Sequence, residues 1–543
     1  MARGSRATAL WLAMLGGFGI LLTVAWWRSS RSEGACDPVS DGSVAKTGIF
    51  DQPILSAAER DDAALTVFTD FRDWIEANQG STEGLKEGLR LARSRREAMY
   101  DLIATDPRAA LEQALSPAER ASLPEPVAAL VERRVGGRGD FFVIGATPAP
   151  GGPKPAEAIF RRLEVGGETF RAYVFGRRHG NDTKLGIPVD GVAVDDRVAL
   201  AEAPLRPLLA GESESEFPPA TPVALGPHVV VAPEGPGPVF VSGGELLRFC
   251  CDEHAQAWAA AQVAAESTAG PNLPIGALDD TGSGTTTGGS DIGLSSWTEG
   301  LKDILVIRAD FPDLTGEPVT PTGATMNAAF LTNKISNEVG PFYDEASYGK
   351  TALSLSAANV TPVLRMPTAA QTYAANDSLT QLRIDALAAA ETAGYDTGSY
   401  DRIYLVFTHI GPSRYSNSQF TWAGVGLIGG SFMWINGYFD LRVAGHEMGH
   451  TYGLRHANLW QIPGGSSNPV DLSGSSTEYG DWFDMMGDGP SSASTQPDYF
   501  NPWFMNRLDW MANQSIQTVT TGGTYRLFRY DHRNANQSNT LAL

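Results

Sequence analysis

The stretch HEMGHTYGLRH, His446 to His456, decides how the rest of the chain is read. On a helix of 3.6 residues per turn, His446 and His450 stand four apart and project from one face, as two ligands of a single metal ion must. Glu447 is offset by one residue, so it sits beside the metal and can hold a water instead of acting as a ligand. Gly453 comes three residues after the second His, where the helix must stop if the chain is to turn back, and glycine accepts the left-handed conformation such a turn needs. The turn returns His456 as a third ligand. Three neutral imidazoles leave the fourth tetrahedral position of Zn²⁺ open, the arrangement of a catalytic site and not of a closed structural one. The chain has eight His in all, and core helices rarely spend three His and a Glu on so short a stretch.

The spacing HExxHxxGxxH resembles the signature of the metzincin clan of zinc endopeptidases, which also requires a Met-turn beneath the zinc ligands. Downstream lies EYGDWFDMMG, Glu478 to Gly487, whose Tyr-Gly-Asp followed by Asp-x-Met-Gly resembles the gametolysin-like (M11-like) branch of that clan. The resemblance covers roughly 302–511 and implies an α+β zincin catalytic domain. It makes Met486 the Met-turn residue, an apolar and polarisable floor under the imidazoles, with Met485 as its neighbour. ILVIRADF, Ile304 to Phe311, resembles the opening strand of that domain, and FYDEASYGK, Phe342 to Lys350, the lead into the next. Gly429 to Ser431 and Trp434 to Tyr438 are expected at the edge of the cleft, where the resemblance implies an edge strand that holds extended peptide by backbone pairing.

With 543 residues, 42% of them apolar, the chain is long enough for about three domains with real cores. A net charge of −21 argues against a nucleic-acid-binding surface, which needs clustered Lys and Arg. Cys36, Cys250 and Cys251 are too few for a disulfide scaffold. Ala7 to Trp27 carries no charge and is flanked by Arg3, Arg6, Arg28 and Arg31. At 1.5 Å per residue it is long enough to cross a hydrocarbon core of ~30 Å, and no A-x-A cleavage site follows it. It is therefore expected to be an uncleaved signal anchor, with a cleaved signal peptide as the alternative, and to tie the protein to a membrane with its C-terminal side exported.

The expected organisation runs as follows. Residues 1–35 form the signal anchor or signal peptide, and 36–135 a helical region with apolar stripes through Phe68, Phe71 and Ile75 and through Leu89, Ala92, Met99 and Ile103. Asp106-Pro107 and Ser116-Pro117 start helices there, and Arg93, Arg95, Arg96 and Glu97 form a solvated face. Residues 136–268 form a β-rich, pro-like region that returns to helix from Glu245 to Ala265. A Gly/Ser/Thr-rich linker follows at 269–295, with TGSGTTTGGS at 281–290 as its flexible core. The catalytic domain takes 296–513, with a helix at Ser378 to Gly394, a buried strand at Ile403 to Phe407 and a terminal helix at Asn501 to Met511. Residues 514–543 open a C-terminal β-domain, because TYRLFRY, Thr524 to Tyr530, alternates as a strand does.

The residues thus point to a zinc-dependent endopeptidase acting on extracellular or cell-surface proteins, with Glu447 as general base and His446, His450 and His456 on the metal. The rival is an adhesion or binding protein that keeps its metal on a zincin scaffold for structure. The intact Glu447 argues against that, since a structural site has no use for an unliganded carboxylate beside an open position. Cys250 or Cys251 is a candidate latency ligand for the open zinc position, although the cysteine-switch motif PRCGxPD is absent. His409 reads as a polar loop residue, not a fourth ligand. The oligomeric state is left open by the sequence.

Overall fold

The computed structural model describes residues 62–78, 84–150, 155, 157–220, 224–225, 228–229, 237–267, 270, 295–468, 471–487 and 499–543. Ala7 to Trp27, Cys36 and 281–290 lie outside them. Among the described residues no helix is long and apolar enough to cross a membrane.

Two helices open the described chain, α1 (Asp62–Ala77) and α2 (Leu85–Thr105). Their apolar stripes face each other: Phe71, Trp74 and Ile75 pack on Leu91 and Ala92, while Phe68 meets Met99 and Ile103. Both expected helix starts are capped. Asp106 accepts the Ala109 N–H, and Ser116 and Glu119 form a reciprocal capping box ahead of Pro117. Arg95 departs from the expected solvated face. It is fully buried, donating to both Glu132 carboxylate oxygens at 2.6 and 3.0 Å and to the Gln113 carbonyl at 2.6 Å, with its guanidinium over the Phe68 and Phe71 rings. The planar guanidinium reaches a carboxylate and a carbonyl at once, which lets the cation be buried.

The chain then forms β1 (Arg133–Pro148), β2 (Ile159–Val165), β3 (Glu168–Tyr173), β4 (Lys184–Val194) and β5 (Arg197–Leu200). These pair in the order β1-β2-β3-β5-β4, and β4 returns to β1, closing a five-stranded ring around Phe141, Leu163, Phe170, Val189 and Val198. The helix expected from Glu245 begins later. Glu245–Arg248 is a strand paired with Val239–Ser242, and α3 occupies Asp252–Glu266. The reason is the two-residue turn Gly243-Gly244, both at positive φ (56° and 78°), which folds the segment into a hairpin.

The last unit contains β6 (Gly300–Asp310), β7 (Thr351–Ser354), β8 (Val360–Arg365), α4 (Leu379–Thr392), β9 (Arg402–Phe407), β10 (Trp422–Leu427), β11 (Phe432–Asn436), α5 (Leu441–Tyr452) and α6 (Pro502–Arg507). Strand β6 runs parallel to β7, β8 and β9, and β9 parallel to β11, while β10 is antiparallel to β11. Both faces are covered. Ile304, Val306, Tyr404 and Val406 pack towards α5, whereas Leu305, Ile307, Leu405 and Phe407 pack towards α4. That two-sided burial is why β6 reads as an unbroken apolar run and not as an alternation.

Three expectations change here. Trp434 to Tyr438 is not an edge: β11 lies inside the sheet between β9 and β10, and β10 is the outer strand of this unit. The pro-like region is not a separate sheet, because the end of β1 pairs antiparallel with β10 and makes one continuous 11-stranded sheet. Residues 514–543, expected to open a β-domain, form no strand, Thr524 to Tyr530 included. The segment crosses this last unit with a single bridge between Ile516 and Ala542, burying Leu541 in the core beneath α5. Alternation alone supplies one apolar face, and without a neighbouring strand the backbone hydrogen bonds of a ladder are not made.

Candidate metal centre

Helix α5 carries the site. Its start is fixed by Asp440, whose side chain accepts the Val443 N–H at 2.9 Å. Its end is fixed by Gly453 at φ 104°, with Gly453 N–H on the His450 carbonyl and Leu454 N–H on that of Gly449, the paired bonds of a Schellman turn. Arg402, fully buried between the Trp297 and Tyr452 rings, donates to Thr451 Oγ1 at 2.9 Å and brings a positive charge to the helix C-terminus. Helix α5 also lies very close to β10. A Cβ on Gly424 would come within 2.7 Å of the Glu447 side chain, and one on Gly426 within 2.8 Å of the Glu447 carbonyl.

The structure brings His446, His450 and His456 together, with a ligand nitrogen from each within 4.8 Å of the others. Each ring is oriented from behind. His446 Nδ1 lies 2.8 Å from the Met485 carbonyl, His450 Nδ1 2.8 Å from that of Leu454, and His456 Nδ1 2.6 Å from Glu478 Oε1. Those oxygens only accept, so each Nδ1 carries the proton and each Nε2 presents a lone pair. His446 Nε2 is buried without a hydrogen-bond partner. His450 Nε2 and His456 Nε2 face each other at 3.2 Å, where two lone pairs repel unless a cation lies between them. Imidazole nitrogens bound to one tetrahedral zinc are about 3.3 Å apart, so these residues fit that metal. Burial holds all three imidazoles below the usual His range, which keeps them neutral and able to ligate.

Glu447 is fully buried beside them. Burial pushes its carboxyl well above the usual carboxylate range, while the Thr147 hydroxyl and the Arg442 cation act in the opposite sense. Neither carboxylate oxygen nor Thr147 Oγ1 has a hydrogen-bond partner, so the influence of Thr147 is one of proximity and not of an aligned bond. Met485 and Met486 lie under the helix. Met486 Sδ sits where Gly449 has no side chain, 2.5 Å from the position a Cβ would take. The turn is held by Asp484, which accepts Met486 N–H at 2.7 Å and Asn501 N–H at 2.6 Å, and by Arg442, which donates to the Met485 and Gly487 carbonyls.

Cys250 and Cys251 are not brought to this site. They gather with His254 at the start of α3 as a separate cluster, with Cys250 exposed. His409 also stays apart, with its Nδ1 on the Asn436 carbonyl at 3.1 Å. Sequence reasoning missed Glu478, which orients His456, and Tyr479, whose ring centroid lies 4.0 Å from that of His456 and whose hydroxyl donates to the Ala146 carbonyl. Both stand inside the EYGD string quoted above, and Tyr479 has a further mark visible only in the structure, a positive φ of 60°.

Residues 303–504 match the family described as gametolysin peptidase M11, a family of metallopeptidases. No curated protein and no solved structure matches the chain.

Proposed function

We propose that this chain, whose residues 303–504 form a gametolysin-type M11 peptidase domain, is a zinc-dependent endopeptidase that hydrolyses peptide bonds of extracellular or cell-surface proteins. The observation that carries the reading is the convergence of three Nε2 lone pairs, each imposed by an acceptor behind its ring, next to a carboxylate with no partner of its own. His446, His450 and His456 would hold the zinc, which supplies Lewis acidity that polarises a carbonyl and eases loss of a proton from water. Glu447 takes that proton as water oxygen adds to the carbonyl carbon, and passes it to the amine nitrogen as the C–N bond breaks. The Tyr479 hydroxyl, which here donates to a peptide carbonyl, is the donor available to the carbonyl of a bound substrate.

Glu447→Gln tests this. Gln is nearly isosteric but cannot accept a proton at neutral pH, and general-base help is worth about 10²–10⁴-fold, or ~3–5 kcal/mol of barrier. The chain, before and after limited proteolysis within 281–290, is incubated with an unbiased peptide library while zinc content and melting are measured on the same preparations. A folded, zinc-loaded Glu447→Gln protein that keeps most of the parent rate refutes the role of Glu447. A parent that cleaves nothing in either form returns the protein to the class of binding proteins with a structural metal. We further place the catalytic unit outside the cytoplasm with Ala7 to Trp27 as its anchor. A soluble mature product beginning near Cys36, found by fractionation and N-terminal sequencing, would show a cleaved signal instead.

A further inference from the structure

The outer edge of β10 is occupied. Ile144 to Pro148, the end of β1, lies antiparallel along it, with Ile144 opposite Leu427, Gly145 opposite Gly426, Ala146 opposite Val425 and Thr147 opposite Gly424. Strands β4 and β10 follow one another along the same side of β1, so one strand both completes the ring and extends the catalytic sheet. Its last residues meet the site in succession. Gly145 lies flat against the His450 imidazole, where any Cβ would overlap Nε2, the metal-binding atom. The Ala146 carbonyl receives the Tyr479 hydroxyl. Thr147 lies opposite Gly424, the residue against which the Glu447 side chain rests.

An extended segment, antiparallel on a sheet edge, with one carbonyl held by a donor and one residue over the ligands, is bound as a peptide is bound by strand addition. The result is a sealed site: His446, Glu447 and His450 are fully buried and His456 nearly so. A peptidase must admit both a peptide and a water. Here the edge that would take the peptide is used, and the Glu447 oxygens are closed to solvent.

We propose that Ile144 to Pro148 sits in the substrate's own place on β10 and keeps the enzyme shut until the ring carrying it moves away, a proposal that rests on the peptidase reading above. The remaining contacts between ring and catalytic unit are mixed. Phe142, Ile144, Ala146 and Phe160 share one buried core with Trp422, Leu427 and Trp434, and around it Arg162 pairs with Asp377, Arg383 with Glu164 at 3.6 Å, and Asp182 with Arg455 at 3.1 Å and Arg507 at 3.8 Å. Opening must expose apolar surface as well as break ion pairs, which makes the closed form the resting one. Latency then needs no cysteine on the metal, which accords with Cys250 and Cys251 lying in their own cluster. It also explains why Gly145 is a glycine, since only a residue without a side chain can pass so close to His450.

The test is Gly145→Trp in the full chain, with two readouts: peptide hydrolysis, and hydrogen exchange of the β10 amides from Gly424 to Leu427. A strand that cannot seat should free the edge. If the open form is 0.1–10% of the parent population, hydrolysis should rise about 10- to 1,000-fold, the β10 amides should exchange faster, and adding Glu447→Gln should abolish the gain. A parent chain as active as Gly145→Trp overturns the proposal, as does a folded variant whose β10 exchange is unchanged. Fast β10 exchange with no hydrolysis would uphold the closure and refute the peptidase reading, so the two failures are distinct. Should Gly145→Trp not fold, Ala146→Cys/Val425→Cys replaces it, since these residues lie directly opposite each other. After cleavage within 281–290 the oxidised pair should stay silent and regain activity on reduction. Activity in the oxidised, cleaved protein would refute closure by this strand.

Discussion

Of the three imidazoles, His456 is the one held from behind by a carboxylate, and that makes its contribution separable. Its Nδ1 lies 2.6 Å from Glu478 Oε1, and Glu478 Oε2 accepts from Asn458 Nδ2 at 2.9 Å, whereas His446 and His450 rely on backbone carbonyls. Removing an outer partner of a metal-binding His typically weakens the metal 10- to 100-fold, about 1.4–2.7 kcal/mol at ~1.4 kcal/mol per decade. The Glu478 side chain is 38% exposed, and solvent screening moves the expectation for Glu478→Gln to about tenfold, since Gln still offers an oxygen to Nδ1–H. Glu478→Ala removes the acceptor altogether and should approach 100-fold. Chelator competition on the zinc-loaded chain measures the affinity directly. Melting supplies the cross-check: at saturating metal, a 100-fold weaker site loses about 2.7 kcal/mol of ligand stabilisation, while the metal-free proteins should melt together. Parent zinc affinity in Glu478→Ala would refute both the assigned proton on Nδ1 and the three-ligand reading that depends on it.

Gly426→Ala puts a Cβ within 2.8 Å of the Glu447 carbonyl, so β10 and α5 must separate. A loss of about 1–3 kcal/mol is expected by urea denaturation, together with a larger fall in hydrolysis than in zinc content. Glu132→Ala strands the Arg95 cation, fully buried in the N-terminal helices. It should cost about 3–5 kcal/mol, read as a lower urea midpoint for the N-terminal helices by hydrogen exchange of their amides, with the zinc affinity unchanged.

What could be read from the sequence and what could not divides along one physical line. The helix with His446, Glu447 and His450, the stop at Gly453 and the return of His456 are local, since spacing on one helix and one turn fixes them. The stripes of α1 and α2 and the caps at Asp106 and Ser116 are local too. Strand β10 leaves a weak signature because its sequence, WAGVGL, gives two of the three residues on one face to glycine. Glycine weakens a strand's signature, yet here it is what lets α5 lie against the sheet, with Glu447 over Gly424 and Gly426. The same close approach explains Gly145, which in sequence is an unremarked residue between Ile144 and Ala146 and in space is the neighbour of Gly426. Conversely, TYRLFRY shows the alternation of a strand and forms none, because pairing needs a partner that no periodicity can name. The sequence thus announces the three imidazoles and the carboxylate beside them, which one helix and its turn hold. The joining of β1 to β10 depends on backbone hydrogen bonds between distant segments, and those leave no mark on either segment taken alone.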